Sequence, residues 1–246
     1  MAMLVRVAEL DADGDRAELA VLLAAVFPFA YVFGTSSADA MFLLFALAAF
    51  YGFRRQMWIV GGVCGACATA ALPAGILIVP ALAWIGLRDP SARRFWVLTG
   101  LALSMAGIVG YFSYLYYRGG PPGGWTASMN QWGFNVRQAP LESLSSLQHA
   151  LSSAQTPIAA LSGWVTVVAI ATVPLVWWQL NGGYAIYMIA MLAFALMFGN
   201  DAALGRTCAL LFPMFVLAGR IRWRVVVVLL AITSAMLYAL ALIQGL

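Results

Sequence analysis

An acid and an arginine set into apolar sequence are the groups in this chain best placed to do chemistry. Asp39 stands at the mouth of an apolar run, and Arg206 lies about one helical turn into another, just after Asn200-Asp201. A carboxylate can take the proton of an attacking hydroxyl, and a guanidinium can steady a departing phosphate. A carboxylate at the edge of a bilayer is costly, so Asp39 is a functional suspect by default. Arg206 needs an anionic partner for the same reason, and two kinds are on offer. One is a carboxylate, Asp39 or Asp201; the other is a lipid phosphate, which a guanidinium grips bidentately. The plainer alternatives are an Arg206–Asp201 pair along one helix or a side chain that snorkels to the surface.

The elements that must position these groups are membrane helices. The 246 residues are 64% hydrophobic and 9% charged, with mean hydropathy +0.92, which is far from a soluble globular composition. The apolar runs are continuous rather than alternating, so the reading is all-α, a polytopic helical membrane protein, and not a β-barrel. All 13 basic residues are Arg, which fits a GC-rich bacterial genome and a bacterial plasma membrane. The net charge of +4 sits in short loops between spans and is no nucleic-acid signal. The first sixteen residues are polar and acidic, and no cleavable signal peptide is expected.

Nine apolar segments follow, at 17–33, 38–53, 57–72, 74–87, 95–116, 162–179, 184–199, 203–219 and 224–244. The whole of 1–246 reads as a single membrane domain, with 1–16 a cytoplasmic, solvated lead-in that caps the first helix. Several segments fall short of the roughly 20 residues needed to cross the hydrocarbon alone, so they borrow flanking residues or end in a cavity. Pro28 marks a kink near a helix end. With the N-terminus inside, the inner face collects Arg6, Arg16, Arg54, Arg55, Arg88, Arg93, Arg94, Arg220, Arg222 and Arg224, and the outer face only Arg118, Arg137 and Arg206. That asymmetry supports both the segment count and the orientation. Residues 117–161 form a long external loop, which opens on Gly and Pro and carries Trp132 and Arg137. Within it, Leu141, Leu144, Leu147 and Leu151 space out an amphipathic helix over 140–152 on the outer surface.

Metal and redox chemistry find little support in the sequence. His149 is the only histidine, and the Asp11-x-Asp13-x-Asp15 run lacks the Gly and Glu that a calcium loop requires. Cys64 and Cys67 are three apart in an apolar helix and, with Cys208, read as buried spectators. No cofactor is expected, though a divalent cation stays open.

Phe27-Pro28-x-Ala30-x(8)-Asp39-Ala-Met-Phe-Leu-Leu, followed by an Arg-rich turn and Leu72-Pro73-Ala-Gly75, resembles the core of the GT-C membrane mannosyltransferases. The family is typified by the GPI mannosyltransferase that adds the second mannose, and by its bacterial relatives. Tyr116-Tyr117-Arg118-Gly119 with Trp132-Gly133 is similar to that family's external loop, and Arg206-x(5)-Phe212-Pro213-x-Phe215 to its closing helix. The ordered set covers roughly residues 20–220. Differences stand at Ser37, Asp39 and Ala40, where the family has Tyr, Glu and Ser, and at Leu72, where it has a turn arginine. The family's catalytic acid lies in a first external loop that precedes the match.

The resemblance implies transfer of a hexose, mannose in that family's pattern, from a polyprenyl-phosphate sugar to an acceptor at the external face. Asp39 would be the catalytic acid present. Arg206, Asp201, Asn200, Arg118, Trp132 and Arg137 would bind substrate or lipid phosphate. Partners would be the lipid-linked donor, membrane lipid and an N-terminal partner subunit, with no nucleic acid. The alternative is a non-catalytic or split-enzyme subunit that binds lipid-linked sugar. A transporter ranks last, because no internal repeat is visible.

Overall fold

The computed structural model describes residues 1–34, 38–117, 157–198 and 201–220. Among these residues the chain is all-helical, with ten α-helices and two short 3-10 turns. They are α1 (Ala2–Ala8), α2 (Gly14–Val26), α3 (Asp39–Arg54), α4 (Trp58–Ala71), α5 (Ile78–Arg88), α6 (Arg94–Tyr117), α7 (Pro157–Gln179), α8 (Gly182–Phe198), α9 (Asp201–Leu210) and α10 (Phe212–Arg220).

Prolines decide where several of these helices stop. A residue before proline is driven toward extended backbone, because the ring clashes with a helical predecessor. Phe27 accordingly ends α2 at ψ 138°, and the chain turns through a 3-10 stretch at Ala30–Phe33. Leu72, before Pro73, ends α4 at φ −140° and ψ 125°. Pro213 stands at the second position of α10, where it withholds a backbone donor that a continuous helix would need. The segment 203–219, read as one span, is therefore two helices meeting at Leu211, and 17–33 is a helix plus a 3-10 turn.

Helix α4 packs between α3 and α6 with glycine at the crossings. A Cβ on Gly52 would lie 2.7 Å from Gly61 Cα, and one on Gly62 would lie 2.5 Å from the Gly100 carbonyl. Small residues at three- and four-residue spacing let backbones approach this closely, a device suited to lipid, where apolar burial drives no association. Polar groups then bridge the gap: the Thr69 hydroxyl donates to the Ser104 carbonyl at 2.8 Å. On the other side of α3, Phe50, Tyr184, Tyr187 and Phe212 form an aromatic core with ring centroids 5.2–5.6 Å apart.

Two stretches, Arg94–Tyr114 and Leu161–Gln179, are long and apolar enough to cross a membrane, each with mean hydropathy 1.7. Only 17% and 28% of them is buried, which is unlike the core helix of a soluble protein. Trp58–Ala71, Pro73–Arg88 and Gly182–Met197 are apolar but shorter.

The first sixteen residues are not a solvated lead-in. Leu4, Val7 and Ala8 of α1 are buried against α2 and α3. Apolar residues at i, i+3 and i+4 give α1 a packing face that its polar neighbours mask in the sequence. Asp13 does occupy the N-cap of α2, but its side chain makes no capping bond.

Candidate functional site

Helix α3 carries one charged site at each end. Asp39 lies in its first turn and Arg54 in its last, the arrangement that the helix dipole favours. At about 1.5 Å per residue the two ends stand roughly 22 Å apart.

At the first end, the Asp39 carboxylate meets Arg206 of α9. The guanidinium Nε donates to Asp39 Oδ2 at 2.7 Å, and Nη2 donates to the same oxygen. Asp39 is only 2% exposed, while the Arg206 side chain keeps 23% of its surface. The pair borders a small cavity of about 20 Å³, shared with Leu72, Ala74, Met191, Phe194, Thr207 and Leu210. That volume holds about one water-sized group. Segments distant in sequence thus converge: the head of α3, the Leu72-Pro73-Ala74-Gly75 turn, and the helix bearing Arg206.

Arg206 meets Asp39 from α9, a short helix that ends at the break before α10. Breaking a helix inside an apolar bundle frees carbonyls that need donors. The Tyr187 hydroxyl supplies one, donating to the Leu210 carbonyl at 3.0 Å. Phe27 packs edge-on against Phe215 at 5.1 Å, and the Phe29 ring lies on the backbone of Gly205, where any Cβ would overlap it. The Phe27-Pro28-x-Ala30 segment therefore clamps both halves of the broken helix. Tyr187→Phe is expected to cost about 1–3 kcal/mol, since it leaves the buried Leu210 carbonyl without that donor. Thermal unfolding in detergent would register the loss, and an unchanged midpoint would show that the hydroxyl does not support the break.

At the far end of α3, Arg54 reaches Asp11 of the N-terminal segment, Nη2 to Oδ1 at 2.9 Å and Nη1 to Oδ2 at 3.2 Å. Its Nη1 also approaches the Tyr184 hydroxyl at 3.4 Å. Arg220, in the last turn of α10, donates to the main-chain oxygens of Asp11 and Gln179. Two arginines from distant helices thus close on one loop. Nearby, the Gln56 amide donates to Asp89 Oδ2 at 2.7 Å and to Ser91 at 2.6 Å, joining the α3–α4 and α5–α6 turns. Hydrogen bonds from the Ser91 hydroxyl, then its backbone N–H and Gln56, hold the Asp89 carboxyl below the usual carboxylate range. The arginines that the sequence assigns to one face include Arg54 and Arg220, and these do lie together.

Of the other residues singled out in the sequence, Asn200, Arg118, Trp132 and Arg137 lie outside the described residues, as do His149 and the 140–152 helix. Asp201 opens α9, one turn before Arg206. Asp11, Tyr187 and Arg220 carry contacts that sequence reasoning missed, and Thr207 lines the cavity without having been singled out. Pro213, inside an apolar run, was the signal for the break that Tyr187 serves. Cys64 and Cys67 are half-buried rather than buried, and Cys208 is buried beside the Thr166 hydroxyl at 3.7 Å. Among the described residues no cluster of three His, Cys, Asp or Glu side chains could hold a metal ion. No family model matches this chain, and neither a curated protein nor a solved structure does.

Proposed function

We propose that this chain is a membrane glycosyltransferase-like protein. It would bind a polyprenyl-phosphate sugar, mannose on the resemblance, at the outer face of a bacterial plasma membrane and pass the sugar to an acceptor hydroxyl. In this reading nine apolar segments cross the membrane, one of them as a broken helix, with the N-terminus inside and the C-terminus outside. A reporter fused after Leu246 that works only in the cytoplasm would sink that topology.

The observation that carries the reading is the buried Asp39–Arg206 pair at a small cavity, at the opposite end of α3 from Arg54 and Arg220. A guanidinium that grips a carboxylate can exchange that carboxylate for a phosphate. The cavity is too small for a sugar, so binding has to open it and part the pair. The donor phosphate then takes Arg206, and Asp39 is released beside the acceptor. The acceptor oxygen bonds to the anomeric carbon as the bond to the phosphate oxygen breaks. Polyprenyl phosphate leaves with the electron pair, and the hydroxyl proton passes to Asp39.

A second reading, a sugar-lipid-binding subunit completed by an N-terminal partner that supplies the base, is favoured by one feature. Leu72 lines the cavity, at the position where the resembled family carries an arginine. Binding and transfer separate the two. The purified protein in lipid nanodiscs is expected to bind polyprenyl-phosphate mannose, more weakly as Arg206→Lys, which loses the planar fork. Asp39→Asn should retain binding and abolish mannosyl transfer. Binding without transfer by the wild type would select the subunit reading, and absence of binding would sink both.

A further inference from the structure

Two polar atoms on residues that line the cavity lack partners among the described residues. The Thr207 residue is only 4% exposed, and its hydroxyl makes no hydrogen bond with the described residues. Asp39 Oδ1 is in the same condition among the described residues, since Arg206 Nε and Nη2 both donate to Oδ2. Buried polar groups are nearly always satisfied, and each orphan needs an explanation. A helical threonine has an easy remedy in the carbonyl one turn back, which Thr99 and Thr166 both take. Thr207 does not take it. The two residues that bear them line one space, and that space has the volume of a single hydroxyl or water.

We propose that Thr207 and Asp39 Oδ1 form a subsite for one hydroxyl of the ligand, with Thr207 a specificity-determining residue. The inference rests on the sugar-lipid reading for the identity of that ligand, a sugar hydroxyl beside the phosphate held by Arg206. A hydroxyl both donates and accepts. It can donate to Asp39 Oδ1 and exchange a bond with Thr207, satisfying both atoms at once. A methylene or a bare phosphate oxygen cannot do so. Leu72, Ala74, Met191, Phe194 and Leu210 supply apolar side-chain walls, and Arg206 is the remaining polar side chain of the lining. A site built to hydrogen-bond a hydroxyl rejects a ligand that lacks it, because the site's own polar atoms then stay unpaired.

Thr207→Val is the discriminating variant, since it replaces the hydroxyl by a methyl of similar size. Removing an unsatisfied buried hydroxyl is expected to raise the unfolding midpoint of the ligand-free protein by a few degrees. The same change should weaken binding of polyprenyl-phosphate mannose about tenfold. It should leave binding of polyprenyl phosphate, which has no sugar, unchanged. Thr207→Ser keeps the hydroxyl and is expected to bind the mannosyl lipid within about twofold of wild type. Equal affinity of Thr207→Val and wild type for the mannosyl lipid would overturn the subsite, and so would equal weakening toward both lipids. A wild type that binds neither lipid would overturn the underlying reading, and this inference with it.

Discussion

Arg206→Ala is expected to destabilise the protein by about 3–5 kcal/mol, the cost of stranding one member of a buried ion pair. The asymmetry of the pair sets the size. Asp39 has almost no exposed surface, so once Arg206 is gone its carboxylate has no solvent to turn to. Arg206 keeps about a quarter of its side-chain surface, so Asp39→Ala leaves a cation with an outlet and should cost less. Thermal or denaturant unfolding of detergent-solubilised protein measures both. A smaller loss for Arg206→Ala than for Asp39→Ala would contradict the assignment of Asp39 as the more deeply buried partner.

The double variant Asp39→Leu/Arg206→Met decides why the pair exists. Buried ion pairs replaced by apolar groups of similar volume are often as stable as the original. If the double variant recovers most of the stability and fails to bind polyprenyl-phosphate mannose, the charges serve the ligand. If it binds the lipid as wild type does, the pair is a structural strut and the phosphate exchange is excluded.

The candidate pair was legible because both residues break the local rule for apolar sequence, and a broken rule is visible one residue at a time. Pro28 and Leu72-Pro73 were legible for the same reason: proline acts on its immediate predecessor. Pro213 is no weaker a signal, yet it sits in an apolar run long enough to pass for one span. The burial of α1 was hidden because Leu4, Val7 and Ala8 are few, and the neighbouring acids suggested solvent. Asp11 looked like one of several loop acids; only the approach of Arg54 across the fold gives it a partner. Thr207 could not be found at all from sequence, since an unsatisfied hydroxyl is a property of its surroundings. The two crossing-length helices agree with the apolar reading of 95–116 and 162–179. Of the shorter helices, Trp58–Ala71 stops at Leu72-Pro73, whereas Asp39–Arg54 and Ile78–Arg88 stop where the sequence turns charged.

Gly107→Ala and Gly110→Ala, three residues apart on α6, are expected to change stability in opposite directions. A Cβ at Gly107 would overlap the carbonyl oxygen of Ala66 on α4 and crowd the Thr69 hydroxyl. Ala66 presents main chain there, which cannot rotate away, so the helices must separate. Separation also stretches the Thr69–Ser104 hydrogen bond that spans the crossing. Overpacking of about 1–3 kcal/mol plus loss of that bond, about 1 kcal/mol, gives an expected cost of roughly 2–4 kcal/mol. Among the described residues Gly110 has nothing within 4 Å of its would-be Cβ, so alanine there brings only better helix propensity, up to about 1 kcal/mol of gain. Unfolding midpoints of the two variants in the same detergent test the crossing directly. Equal midpoints would mean that α4 and α6 are not in backbone contact at Ala66. Then the glycine-lined crossing that positions the Leu72-Pro73 turn, and through it one wall of the Asp39 cavity, would lose its physical basis.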